Sequence, residues 1–439
     1  MDIFSSYNLI IEASVILILS FWFSGLAKKT NIPAVLMLIV LGIILQYVAK
    51  AFVDQLPDLF PALEVLGIVG LIMIVLEAAL ELELKKDKVW ILLKSMAIAL
   101  MGLGASTWVA ALILQALIPG MTMPQAWLYA TPLSILSSAI IIPSVGGLSQ
   151  EKKEFHIYES TFSDIAGIIL FYFLVGQLNP AEATGAAGFA GSILLTIVIA
   201  VVASYAIILI FQGIKSQAKQ FLLIAVLLLL YALGKKLHLS SLIIILIFGL
   251  IIANMKLFFG GPLKKFLKED RAKQIYKELH IITLETAFVV RTFFFVVFGI
   301  TIVLSTLLSV RVLLISILIL ASIYLIRFVL LRTFLGKDIF PQLFVAPRGL
   351  ITVLLFYAIP PEAQLAEFEP GILLFIIIGT SLIMTWAMIK DKRKMSSTPE
   401  QLDEESHAPN EAYEAIEEEK QAEETSDKSP PEDEGPQWA

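Results

Sequence analysis

Two carboxylates stand in the run Glu159-Ser160-Thr161-Phe162-Ser163-Asp164, inside a stretch, 155–178, that is otherwise apolar enough to cross a bilayer. A charge at membrane depth costs several kcal/mol, so an ionisable residue there marks an ion or proton path or a buried ion pair. Five positions on a helix set Glu159 and Asp164 roughly 140° apart, so one partner cannot serve both. Ser163 and Asp164 are adjacent oxygen donors able to ligate a small hard cation, while Glu159 faces a different neighbouring helix. A carboxylate cut off from water is costly as an anion, and either a proton or a monovalent cation can neutralise it. If only the neutralised site can cross between the two sides, such a group makes an obligatory exchanger. With Asp164 as the one titrating ligand, one proton trades for one monovalent cation and no net charge moves.

Other charges fall in apolar windows. Glu12, Glu77 and Arg291 read as interface, lining or packing charges, and Arg327 as structural, because a buried arginine is expensive unless paired. Arg348 stands at an expected break in a helix, where it stabilises unwound backbone or tunes the local potential. His156 lies near the start of the window that holds Asp164 and reads as a solvated surface histidine, with pH sensing as the alternative.

The elements that must position these residues follow from composition. Of 439 residues 58% are hydrophobic and only 16% charged, and the mean hydropathy is +0.86, which describes an all-α polytopic membrane protein. The first apolar segment has no basic region and no small-residue cleavage site before it and reads as a retained helix. The absence of cysteine excludes disulfides and thiolate chemistry. No H-E-x-x-H run or intramembrane Ser/His pairing suggests an enzyme. No cofactor and no nucleic-acid partner is expected; the partners are the lipid bilayer, protons and a monovalent cation.

Apolar windows of about 20 residues, the length a hydrocarbon core demands, fall near 8–27, 32–49, 61–82, 89–116, 124–147, 155–178, 187–213, 219–234, 239–255, 281–303, 310–332, 341–359 and 370–389. Alternate loops carry the lysines and arginines: Lys28 and Lys29, Lys85 to Lys88, Lys152 and Lys153, Lys215 and Lys219, the run Lys264 to Lys277, Arg332 with Lys337, and Lys392 to Lys394. The positive-inside rule then places the N-terminus outside and the C-terminus in the cytoplasm of a cell-membrane protein. Lys235 and Lys236 are the exception.

Domain organisation is bipartite. Residues 1–390 form the transmembrane domain, and 391–439, with 16 acidic against 5 basic side chains, is expected to be a disordered acidic cytoplasmic tail. Two windows contain breaks, Thr131-Pro132 followed by Ser137 to Pro143, and Ala346-Pro347-Arg348-Gly349. Their matching places in the two halves fit an inverted-repeat transporter with two discontinuous crossing helices.

Several motifs carry a family resemblance. Glu159-Ser160-x-x-Ser163-Asp164 resembles the E-S-x-x-N-D motif of the monovalent cation/proton antiporters, in their sodium/proton exchanger and NhaP-like branch. Leu76-Glu77-Ala78-Ala79-Leu80-Glu81 is similar to that family's F-E-A-G-L-E, and Pro347-Arg348-Gly349-Leu350 to its G-L-R-G. The aromatic run Phe293 to Gly299 and Arg327-Phe328-Val329-Leu330 resemble two further stretches. The resemblance implies the sodium/proton antiporter fold, a homodimer, and an elevator-like movement of a core domain against a dimerisation domain. It also implies roles: Asp164 binds the ion and the proton, Ser163 replaces the family's asparagine beside it, and Glu159 forms a structural ion pair with Arg327.

Departures from the family pattern bear on the ion site. Ile142 stands before Pro143 where the family has an aspartate, Ser163 loses a donor pair relative to asparagine, and Ala79 replaces a glycine. Ligation is expected to lean on Asp164, Ser163, Thr131 and the hydroxyls of Ser137 and Ser138, with carbonyls and water. Two rival classes remain open on sequence: an organic-anion transporter or channel of the same architecture, and a transport-inactive membrane sensor or scaffold.

Overall fold

The computed structural model describes residues 3–30, 33–52, 60–82, 84, 88–178, 185–214, 219–236, 241–259, 269–302, 307 and 309–396. Among them there is no strand. The helices are α1 (Ile3–Thr30), α2 (Ala34–Phe52), α3 (Phe60–Glu81), α4 (Val89–Leu117), α5 (Met123–Ser134), α6 (Ser138–Ser144), α7 (Gln150–Gly176) and α8 (Gly185–Gly213). They continue as α9 (Lys219–Lys236), α10 (Ser241–Ala253), the short α11 (Met255–Phe258), α12 (Glu269–Thr301), α13 (Val310–Leu335), α14 (Leu350–Tyr357) and α15 (Gly371–Ser396). About thirteen segments result, with α5 and α6 as two halves of one and α14 as the second half of another. Met1–Ala387 is one compact unit, and everything below concerns it. Residues 397–439, most of the acidic segment, lie outside the described residues, whereas 391–396 belong to α15.

Hydropathy locates the segments because each contains a long apolar run, preceded in α7 and α12 by charged turns. Among the described residues eight helical segments, the broken α5–α6 segment counted as one, are long and apolar enough to cross a membrane by length and composition. The window at 239–255 is an exception to the length rule, since α10 has 13 residues. It lies sheathed by α3, α8 and α9, and ten of its residues are buried.

The helices pack in two groups. In the first, α12 lies against α2 and α3, and α10 against α3, α8 and α9, with α1 on α2 and α12. In the second, α4 packs on α5, α7 and α13, and α14 on α5. The α15 helix joins this second group, where Leu320 of α13 sits against Gly379 and Phe344 meets Trp386 edge to face at 5.5 Å. The groups meet where α3 touches α7 and α14, and where α1 touches α6.

The first group is locked by glycine. A Cβ on Gly42 of α2 would stand 2.2 Å from the Val296 carbonyl oxygen, and one on Gly299 of α12 only 2.4 Å from that of Ile39. Such backbone-to-backbone approach excludes any side chain at either position. Gln46 fastens the same crossing, donating to the carbonyls of Ile300 at 2.6 Å and Ile302 at 2.9 Å. The expected aromatic run packs here, with Phe294 and Phe298 stacked at 6.3 Å.

Candidate functional site

Both expected breaks are present, and they cross. The α5 helix opens with a capping box, Thr122 with Gln125, and ends at Ser134. Ile135 is extended and α6 starts at Ser138. The 341–359 window contains a 3-10 turn at Gln342–Phe344, irregular chain to Gly349, and then the eight residues of α14. The Ser137 amide donates to the Pro347 carbonyl at 3.0 Å, so the two unwound stretches hydrogen-bond each other directly. Gly349 permits this approach, since a Cβ there would lie 2.6 Å from Ser137 Oγ.

Unwinding leaves backbone groups without helical partners, and each must be satisfied elsewhere at membrane depth. Arg348, 2% exposed, supplies three of the missing donors. Its Nε donates to the Leu133 carbonyl at 3.0 Å, Nη2 to Ser134 at 3.1 Å and Nη1 to Ala346 at 2.7 Å. Its own amide donates to Thr380 Oγ1 at 3.0 Å. The cation therefore sits on the last carbonyls of α5, at the negative end of that half-helix. Between the two roles open on sequence, the geometry favours stabilisation of unwound backbone.

The α7 helix brings its polar residues to the same break. Ser163 Oγ accepts the Leu136 amide at 3.0 Å, and Asp164 Oδ2 accepts the Ser138 amide at 3.3 Å. Gly167, one turn on, makes room for Ile135, whose side chain would be 2.3 Å from a Cβ there. Asp164 is 2% exposed, and its Oδ1 has no hydrogen-bond partner. Thr131 is fully buried, donates to the Trp127 carbonyl at 2.8 Å and retains free lone pairs; Ser137 Oγ has no partner. Beside Asp164 lies a void of about 10 Å³, walled by Val75 and Ala78 of α3, Ile243 of α10 and Ile351 of α14. That is room for about one water, and the carboxylate itself is buried.

Glu159 faces away from this cluster, as the angular spacing requires. Its carboxylate accepts Arg327 Nη1 at 2.7 Å and Nη2 at 3.3 Å, a bidentate pair between α7 and α13. Arg327 also donates to the carbonyls of Leu343 at 3.2 Å and Gln342 at 3.0 Å. His156 departs from the surface reading: it is fully buried, and its Nδ1 lies 3.2 Å from Glu159 Oε2. The reason is that α7 starts at Gln150, five residues before the apolar window, which puts His156 one turn before Glu159 on the same face.

Glu77 and Arg291 form a second pair at 2.8 Å between α3 and α12, in the other group of helices. The pair is tied to the site group by the bond from Arg291 Nη1 to the Ala139 carbonyl of α6, 3.2 Å. The side chain of Glu12 lies outside the described residues. A cavity of about 380 Å³ opens between the groups, lined among others by Ser20, Leu38, Ala139, Ser144 and Arg291. A second, of about 250 Å³, lies between Phe298 and Thr301 of α12 and Tyr357, Leu373 and Leu374. Asp164 lines neither. Among the described residues no cluster of three or more His, Asp or Glu could hold a metal ion.

Two broken segments thus cross, with Asp164 beside the crossing. The family model for the sodium/hydrogen exchanger, transmembrane, matches residues 14–390. The chain belongs to the sodium/hydrogen exchanger family. Its fold is similar to that of the sodium proton antiporter MjNhaP1 from Methanocaldococcus jannaschii at pH 8, with a TM-score of 0.62 and 21% identity over 87% of this chain and 97% of that one. It is also similar to the electron-microscopy structure of the same antiporter, with a TM-score of 0.59 and 20% identity over 89% and 96%. Among curated proteins none matches. In this exchanger the inverted-repeat fold thus sets the two half-helix ends, Arg348 and Asp164 around one crossing. Sequence reasoning missed His156 and the acceptor of Arg291. The signal for the latter was present: Pro143 lacks the amide that would pair with the Ala139 carbonyl four residues earlier.

Proposed function

We propose that this exchanger is an antiporter trading a monovalent cation, Na+ or K+, for H+ at Asp164, one for one and without net charge movement. The observation that carries the reading is the buried Asp164, with one oxygen held by the Ser138 amide and the other unpartnered. An anionic carboxylate in that setting is strongly disfavoured, so it binds either a proton or a cation. Ser163, Thr131 and the hydroxyls of Ser137 and Ser138 supply the further oxygens for a dehydrated cation, and Ile142 removes the second carboxylate that would carry a second charge.

The movement is of the elevator type. The helices of the site group carry Asp164 past the helices of the framework group, closing one of the two cavities as the other opens. The Glu159–Arg327 pair and Arg348 make the moving group rigid. The framework helices provide a homodimer contact, the N-terminus is outside, and the basic loops face the cytoplasm. The similar structure from M. jannaschii is that of a sodium proton antiporter, which supports sodium as a substrate.

The test is proton movement in proteoliposomes, followed with a pH dye as Na+, K+ or Li+ gradients are imposed. Cation-driven proton flux by the wild type that Asp164→Asn reduces to the level of protein-free vesicles is the expected result. Equal flux by both proteins, or none by the wild type with any cation, overturns the proposal.

A further inference from the structure

The Arg291 side chain makes a direct hydrogen bond between the two groups of helices, and its acceptor exists because of a proline. In a regular helix the Ala139 carbonyl would receive the amide of residue 143. Residue 143 is proline, which has none. At membrane depth such an orphan carbonyl needs another donor, and Arg291 Nη1 supplies it from α12 at 3.2 Å. Glu77 holds the same guanidinium at 2.8 Å from α3, so the arm is braced within the framework and reaches out of it. The neighbouring amide, that of Ser138, is the one bonded to Asp164. The first turn of α6 is therefore gripped on one side by the ion-binding carboxylate and on the other by the framework.

We propose that Arg291, braced by Glu77, is a latch between framework and moving helices: its bond to the proline-orphaned Ala139 carbonyl holds the conformation in which the 380 Å³ cavity is open. This rests on the alternating-access reading above and names a positioning residue for it. Arg291 does not touch Asp164. It acts through α6, whose first turn must slide relative to α12 when the site group moves, breaking the bond. The latch thus sets the balance between the two facing states and joins the state of Asp164 to that balance through two adjacent residues.

The chain has no cysteine, so single reporters can be introduced cleanly. Ser144→Cys reports on the larger cavity and Leu374→Cys on the smaller. Each is labelled with a polar maleimide in lipid nanodiscs, with and without sodium. Arg291→Gln should lower the rate at Ser144→Cys and raise that at Leu374→Cys, shifting their ratio by about tenfold, the size one charge-assisted hydrogen bond sets. Arg291→Lys should restore part of the ratio. Pro143→Ala, which returns an amide to compete for the Ala139 carbonyl, should shift the ratio in the same direction and add nothing to Arg291→Gln. That variant also serves if Arg291→Gln fails to fold. A ratio unchanged by both variants, or both rates rising together as in general loosening, overturns the latch while leaving alternating access intact. Absence of any reciprocal response to sodium in the wild type overturns both.

Discussion

Glu159 shows what a buried carboxylate costs and how that cost is met. Its partner Arg327 gives it two donors and directs two more to the carbonyls of Gln342 and Leu343. Glu159→Ala leaves a buried guanidinium without its anion, and Arg327→Ala leaves an anion with only His156 beside it. Each should lower stability by about 3 to 5 kcal/mol. The double alanine should recover part of this but not all, because two carbonyls then lose their donors at about 1 to 3 kcal/mol each. Thermal unfolding in detergent of the four proteins of the cycle measures it, and strictly additive losses would show that the side chains do not interact. The opposite directions of Glu159 and Asp164 were legible in the sequence, because a spacing of five on a helix forbids a common partner. The burial of His156 was not, since Gln150 is polar and residues 151–154 are charged, and the hydropathy window starts after them although the helix does not.

At the scale of elements, hydropathy located the segments but not their ends: α12 begins at Glu269, well before the apolar window at 281–303, because its first turns are charged. What it left out was length and junctions. Nothing in the window at 239–255 says that α10 has 13 residues, because burial by neighbouring helices and burial by lipid select the same side chains. The breaks were visible as prolines and glycines, yet their contact through the Ser137 amide and Pro347 carbonyl depends on two segments some 200 positions apart in sequence. Gly349 tests that crossing. In Gly349→Ala the new methyl stands 2.6 Å from Ser137 Oγ and 2.8 Å from Ile140 Cδ1, so the unwound strands must separate. Stability should fall by about 1 to 3 kcal/mol and exchange should slow well beyond that loss of folded protein. Ser137→Gly in the same chain removes the nearest obstruction and should restore part of both. Exchange at the wild-type rate in Gly349→Ala would show that close approach of the two breaks is not needed.

Over the whole molecule, the proposed cycle couples both ions through one titrating group, and with Ile142 and Ser163 offering no second carboxylate it is proposed to move no net charge. A cycle that moves no net charge feels no membrane potential, whereas one elementary charge per turnover would feel about 2.3 kcal/mol per 100 mV. Clamping the potential of proteoliposomes at different values should therefore leave the initial rate of sodium/proton exchange unchanged. Currents on a solid-supported membrane that scale with the sodium gradient and vanish in Glu77→Gln would instead assign a second proton to Glu77.

The central claim is that one carboxylate, Asp164, holds the proton and the cation by turns. It is tested most directly by counting protons released when the cation binds. Purified wild-type protein in weakly buffered solution, near the pH at which exchange is half-maximal, is titrated with sodium chloride, with choline chloride as the control for ionic strength. A proton release that saturates with sodium, does not exceed one per chain, and is absent in Asp164→Asn is the predicted result. Release that persists in Asp164→Asn, or approaches two protons per chain, would contradict the account.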